Sequence, residues 1–193
     1  MFMNNIEYRF YPSLLNTFSR YNRGYLERQE LLDRINRVPI PTTPAQGRGI
    51  RFEDAVIKGT DEEAYDPDLM KEVRALLPRP MVKAQVYCEH QLDNVLIYGF
   101  VDVIGKSLAV DLKTTRHYEP GRFAHDHQNF YLPALRSKGI RTLRYVITDF
   151  VGVYQEEYRE PLDLSSQIEQ VKAFCDFLES NRELITDTKI MCL

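Results

Sequence analysis

The sequence predicts an α/β fold in which a sheet is flanked by helices, and three observations predict it. Helical periodicity dominates up to about residue 77. Three segments rich in Val, Ile, Leu and Phe follow between residues 81 and 113. A helical segment, two further strands and a long amphipathic helix complete the chain. The order is α-rich, then βββ, then αββα.

Each element has a local reason. Pro12 and Ser13 open a helix, Ser13 as its cap, with Leu14, Leu15, Phe18 and Tyr21 at helical spacing. Leu26 to Ile35 is a second helix, ended by the loop Pro39-Ile-Pro41-Thr-Thr-Pro44. Gln46 to Lys58 reads as a helix stopped by Gly59, and Asp66-Pro67 starts another that Pro78 ends. Met81 to Glu89, Val95 to Ile104 and Leu108 to Lys113 form an antiparallel meander, its second turn punctuated by Gly105-Lys106-Ser107. Arg122 to Ser137 reads as helical, with Pro133 demanding a kink or a late start. Leu143 to Phe150 and Val151 to Tyr158 are strands bent at Gly152. Leu164 to Leu184 is a helix with Ile168, Val171, Phe174, Cys175 and Leu178 on one stripe.

At 193 residues the expectation is a single domain over 1–193, with an N-terminal helical segment 1–45 and a C-terminal helix at about 163–186. The chain has no apolar run long enough to span a membrane, and MFMNNIEYRF has no signal-peptide pattern, so a cytoplasmic protein without membrane partners is expected. Cys88, Cys175 and Cys192 are odd in number and widely spaced, which argues against a disulfide framework and a zinc site; Cys192 reads as part of a loose tail. A net charge of −3 counts against a broad non-specific nucleic-acid surface without excluding one, since a nuclease needs only a local basic groove.

The chemistry concentrates in the middle of the meander. Asp102 and Asp111 each end an apolar strand, and a hairpin can bring them side by side. Asp111 and Lys113, two residues apart, leave the same strand face. Two carboxylates beside a lysine make a site for a hard cation with a charge-stabilising or proton-handling neighbour, which suits phosphodiester hydrolysis.

These residues, in this order, resemble the PD-(D/E)XK nuclease superfamily, and within it the RecB-type and lambda-exonuclease-type branch. Gly99-x-x-Asp102 and Asp111-Leu-Lys113-Thr114 match its central strands. Ser13-Leu-Leu-Asn-Thr-Phe18 is similar to its N-terminal helix and Gly49-Ile-Arg-Phe-Glu53 to its glycine-led helix. His127-Gln-Asn-Phe-Tyr131 is similar to its Q-x-x-x-Y helix. The resemblance covers roughly residues 13 to 150. It implies a restriction-endonuclease-like core, a mixed sheet flanked by helices in αβββαβ order.

It also implies a Mg²⁺- or Mn²⁺-dependent deoxyribonuclease, exonuclease ahead of endonuclease, with DNA as substrate. Metal ligands would be Glu53, Asp102, Asp111 and the Leu112 carbonyl. Lys113 would orient or deprotonate water or stabilise phosphate charge. Gln128, Tyr131 and Arg116 would contact substrate. His127 stands four residues before Tyr131, where the motif has glutamine, and rivals Gln128. Glu53 reads alternatively as an exposed helix acid, Tyr131 as a core aromatic, and Arg116, His117 and Arg122 as a solvated loop. Arg136, Lys138, Arg141 and Arg144 read as surface charges. A zinc site at His125-x-His127 lacks further ligands, and three misplaced cysteines exclude an iron–sulfur cluster. A non-catalytic nucleic-acid-binding or assembly subunit and a small nucleotide phosphohydrolase are the rival functions. A homo-oligomer or a recombination or repair partner is left open.

Overall fold

The computed structural model describes residues 5–192. Residues 1–4, part of the N-terminal stretch in which no signal pattern was found, and Leu193 lie outside it. The elements are β1 (Tyr8–Phe10), α1 (Pro12–Asn22), α2 (Arg28–Ile35), α3 (Pro44–Lys58), α4 (Pro67–Ala75), β2 (Lys83–Leu92), β3 (Val95–Ile104), β4 (Leu108–Thr114), α5 (Tyr131–Leu135), β5 (Thr142–Thr148), β6 (Val153–Arg159) and α6 (Ser165–Ser180).

Local chemistry sets the boundaries. α3 starts two residues before the expected Gln46, because Thr43 and Gln46 close a reciprocal capping box around Pro44. Such a cap is worth about 1 kcal/mol. It ends at Gly59, left-handed at φ 74°. The cap of α1 is Tyr11 rather than Ser13, since Pro12 is itself the first helical residue. The helix expected over Arg122–Ser137 is absent as one piece. Residues 115–126 form turns, a 3₁₀ turn runs over His127–Phe130, and α5 follows with Pro133 in its first turn, where the missing N–H costs nothing. The last helix ends at Ser180, short of Leu184, and passes into a 3₁₀ turn at Arg182–Leu184.

The sheet is mixed. β2, β3 and β4 form the expected antiparallel meander, β4 runs parallel to β5, and β5 pairs antiparallel with β6. β1, which the sequence reading missed, lies parallel to β3. Alternation along β4 and β5 sends Val110 and Val146 to one face, against α3 and α4, and Ala109, Leu143 and Tyr145 to the other, under α5. A third apolar cluster joins α1, α2 and α6 to Phe10, Val95 and Ile97. The expected loose tail is instead built in: Ile190 and Met191 are buried, Met191 bridges Tyr8, and the Cys192 N–H donates to the Glu7 carbonyl at 2.8 Å. Among the described residues no helix is long and apolar enough to cross a membrane.

Candidate active site

One edge of β3 is shared by two strands. β1 occupies it at Val95–Ile97 and β4 at Val103–Ile104, so the segment 98–102 between them has no ladder partner on that side. β3 and β4 pair at only two registers and then splay. The Asp102 carboxylate fills the opening, its Oδ2 accepting the Leu112 N–H at 2.7 Å. On the opposite side of β3, the ladder with β2 skips the Gln85/Asp102 step, where Gln85 is left-handed at φ 49°. That twist aims the Gln85 amide at two carboxylates, Glu53 Oε1 at 2.5 Å and Asp102 Oδ1 at 3.3 Å. A strand glutamine reads as solvent-facing, so no sequence signal marked Gln85 as part of this cluster.

Asp111 is buried next to this pair. Its Oδ1 accepts the Gln128 side-chain amide at 3.0 Å, and its Oδ2 is in ion-pair contact with the Lys113 ammonium. That ammonium is the partner of the buried Asp111 Oδ2. Asp111 and Lys113 thus share one strand face, as their spacing requires.

Of His127 and Gln128, it is the Gln128 side chain that reaches Asp111. The segment is 3₁₀, in which residues three apart eclipse, so Gln128 aligns with Tyr131 over Asp111. His127 turns away to α1, its Nδ1 2.8 Å from Asn16 Oδ1. Asn16 also donates to both oxygens of Asp126, which caps the turn. Burial pushes the His127 imidazole down to about 4, so it is neutral at physiological pH. Tyr131 is buried with its ring against Gly99, where an added Cβ would lie 2.7 Å from Oη. It is a core aromatic and a wall of the site at once.

Three carboxyls crowd together with little counter-charge. Burial pushes Asp111 up to about 7, and the neighbouring Asp102 charge adds to the effect. Burial and Glu53 push Asp102 up to about 6. Burial, then Asp111, raise Glu53. Burial works to lower Lys113, but Asp111 and Asp126 outweigh it and the amine is raised. Buried oxygens that resist ionisation, with Lys113 beside one of them, suit a hard divalent cation, for which Asp102, Asp111 and Glu53 are the available donors. Among the described residues, however, no three carboxylate, imidazole or thiolate groups form a ready cage, and the Gln85 amide sits between Glu53 and Asp102. Leu112 enters through its N–H to Asp102. His125 is exposed while His127 is buried against α1, so the two do not form a zinc pair.

Two clefts open beside the cluster. One, of about 700 Å³, is lined by Arg34, Glu53 and Lys113. The other, of about 910 Å³, is lined by Arg48, Arg116, His117 and Arg122. They share Gln46, Gly49 and Thr114. At Gly49 a Cβ would lie 2.9 Å from Thr114 Oγ1, so glycine lets α3 approach β4 at this neck. Arg116 lines the outer cleft, away from the carboxylates. Arg136 and Arg141 are exposed and paired with Glu160, whereas Arg144, read as a surface charge, is largely buried, paired with Glu157 and donating to the Leu76 carbonyl at 2.6 Å.

No family model and no curated relative matches the sequence. Solved structures do. SSO0001 superposes with a TM-score of 0.52 at 17% identity, covering 96% of this chain and 88% of that one. A protein from Eubacterium rectale named as a candidate exonuclease superposes with a TM-score of 0.54 at 11% identity, covering 91% of this chain and 82% of that one. At such identities the likeness speaks to the fold alone. The chain has a nuclease-like α/β fold, a mixed central sheet flanked by helices.

Proposed function

We propose that this chain is a Mg²⁺- or Mn²⁺-dependent nuclease that hydrolyses DNA phosphodiester bonds, exonuclease ahead of endonuclease, of the RecB-type and lambda-exonuclease-type branch. The observation that carries the reading is the splay of β3 from β4, which gathers Asp102, Asp111 and Lys113, with Lys113 and Glu53 lining a cleft that meets the arginine-lined one at Gly49 and Thr114. Asp102, Asp111 and Glu53 would hold the cation, with the Leu112 carbonyl as a further donor. When bound, it would polarise the phosphate and lower the pKa of a coordinated water.

The chain's own residues supply the rest. Lys113, held against Asp111, acts as an ammonium that orients the attacking water and offsets charge on the phosphate, and not as a base. Gln128 fixes the Asp111 carboxylate, and Tyr131 fixes the turn that carries Gln128. Gln85 bridges Glu53 and Asp102, and its amide would have to release those oxygens for them to hold a cation. Arg116 and Arg122 meet the strand in the outer cleft. The Gln85 bridge is also the observation that favours the rival reading, a nucleic-acid-binding subunit whose cluster is closed by protein hydrogen bonds.

The test is degradation of end-labelled linear and covalently closed DNA with Mg²⁺ or Mn²⁺, by wild type, Lys113→Ala and Asp111→Ala. Loss of linear DNA alone, abolished by both substitutions, supports an exonuclease. Cleavage of closed circles makes it an endonuclease. Inactivity on both substrates rejects the nuclease reading, and activity that survives both substitutions rejects these residues.

A further inference from the structure

Arg48 stands out in the outer cleft. It is exposed on α3, and no hydrogen bond or ion pair joins its side chain to any described residue. Its guanidinium carbon instead lies 3.5 Å from the centroid of the Phe150 ring, over the ring face. The Tyr65 ring lies beside Phe150, nearly parallel at 17° with centroids 6.3 Å apart, and Phe52 meets Phe150 edge-on at 5.3 Å. Arg48 and Phe150 both line the cleft, the guanidinium resting on a ring that Tyr65 and Phe52 hold in place.

The loop that presents Phe150 is built for the purpose. Phe150 is left-handed at φ 70°, a strained state for a bulky side chain. Neighbouring groups hold it there: Thr148 Oγ1 accepts the Phe150 N–H at 2.9 Å. The Asp149 carboxylate accepts the N–H groups of Val151 at 3.0 Å and Gly152 at 2.8 Å. The cleft is continuous through Gly49 and Thr114 with the one holding Glu53 and Lys113.

We propose that the Arg48 guanidinium, backed by Phe150, is a stacking platform for an unpaired nucleobase, so that the strand engaged by this site is single-stranded or frayed there. Unpaired bases stack on arginine planes as on aromatic rings, whereas bases inside a duplex have no free face to offer. The inference rests on the nuclease reading and names its substrate class.

The test uses metal-free protein, so that nothing is cut, and DNA 16-mers carrying 2-aminopurine at successive positions, single-stranded or in duplex. In wild type, fluorescence changes sharply at one or two positions of the single strand. Arg48→Lys keeps the charge and removes the plane. It is expected to abolish that positional signal and weaken single-strand binding about tenfold, within the range of one lost base stack. Phe150→Leu should act in the same direction. Wild-type affinity and signal in Arg48→Lys would reduce Arg48 to a phosphate-attracting charge and overturn the platform, as would the absence of any responsive position in wild type. Separate hydrolysis of the same 16-mers with Mn²⁺ keeps the two readings apart. A positional signal without hydrolysis retains the platform and rejects the nuclease, and hydrolysis without the signal does the reverse.

Discussion

Gly99→Ala probes the packing that aligns the site. Gly99 is not in a left-handed conformation, so alanine is allowed by the backbone, but its Cβ would lie 2.7 Å from Oη, 2.9 Å from Cε1 and 3.2 Å from Cζ of Tyr131. Non-bonded heavy atoms do not approach that closely, and the ring is buried in a closely packed interior. Overpacking of this kind costs about 1–3 kcal/mol, and the lower chain entropy of unfolded alanine returns about 0.4–1 kcal/mol. The expected net destabilisation is therefore about 1–2 kcal/mol, read from urea midpoints at unchanged m-value. Tyr131→Leu removes every clashing atom. In that background Gly99→Ala should cost less than about 0.5 kcal/mol, giving a coupling energy of about 1–2 kcal/mol. Because Tyr131 lies three residues after Gln128, single-mutant activity should fall further than stability and recover little with added metal. Equal cost of Gly99→Ala in both backgrounds, or stabilisation of the wild type by it, would refute the argument.

Three further outcomes are expected. His127 is buried neutral with its pKa lowered to about 4 from an unfolded value near 6.5, so its contribution is complete above about pH 6.5 and is lost as pH falls toward 4. The loss amounts to about 3 kcal/mol, and urea unfolding of wild type against His127→Gln should show the difference between them shrinking by that order from pH 7 to pH 4. Asn129 is fully buried, donating to the Phe123 and Ala124 carbonyls and accepting from the Tyr145 hydroxyl at 2.9 Å. Asn129→Ala leaves the Tyr145 hydroxyl without its acceptor, while the Phe123 carbonyl keeps the Asp126 N–H, and should cost about 1–3 kcal/mol by chemical denaturation. Mn²⁺ at a hundredfold excess over its Kd should stabilise wild type by about 2.7 kcal/mol in a thermal melt. Asp102→Ala and Asp111→Ala should remove that shift, and its persistence in both would place the cation elsewhere.

The parts of this protein legible in its sequence are those that local chemistry controls. Alternating apolar residues and turn chemistry located β2 to β6, since strand periodicity and turn residues act within a few positions. Caps and prolines located α1 to α4 to within a few residues for the same reason. The two-residue spacing of Asp111 and Lys113 fixed their common face, because the pleat leaves no alternative.

Other features needed the folded chain. β1 is three residues long and exists because β3 offers it an unpaired edge. That Gln128 and not His127 reaches Asp111 follows from a 3₁₀ turn, whose cap Asn16 of α1 secures from over a hundred residues away. Gln85 joined the carboxylate cluster through a left-handed twist that its residue type does not announce. The contacts of Phe150 with Arg48 and Tyr65 gather residues from three separate segments. Sequence dictates what each short segment can be, through backbone sterics and the pattern of apolar burial. Which distant segments meet, and therefore which charges must share a buried space, is settled only when the sheet is assembled and packed.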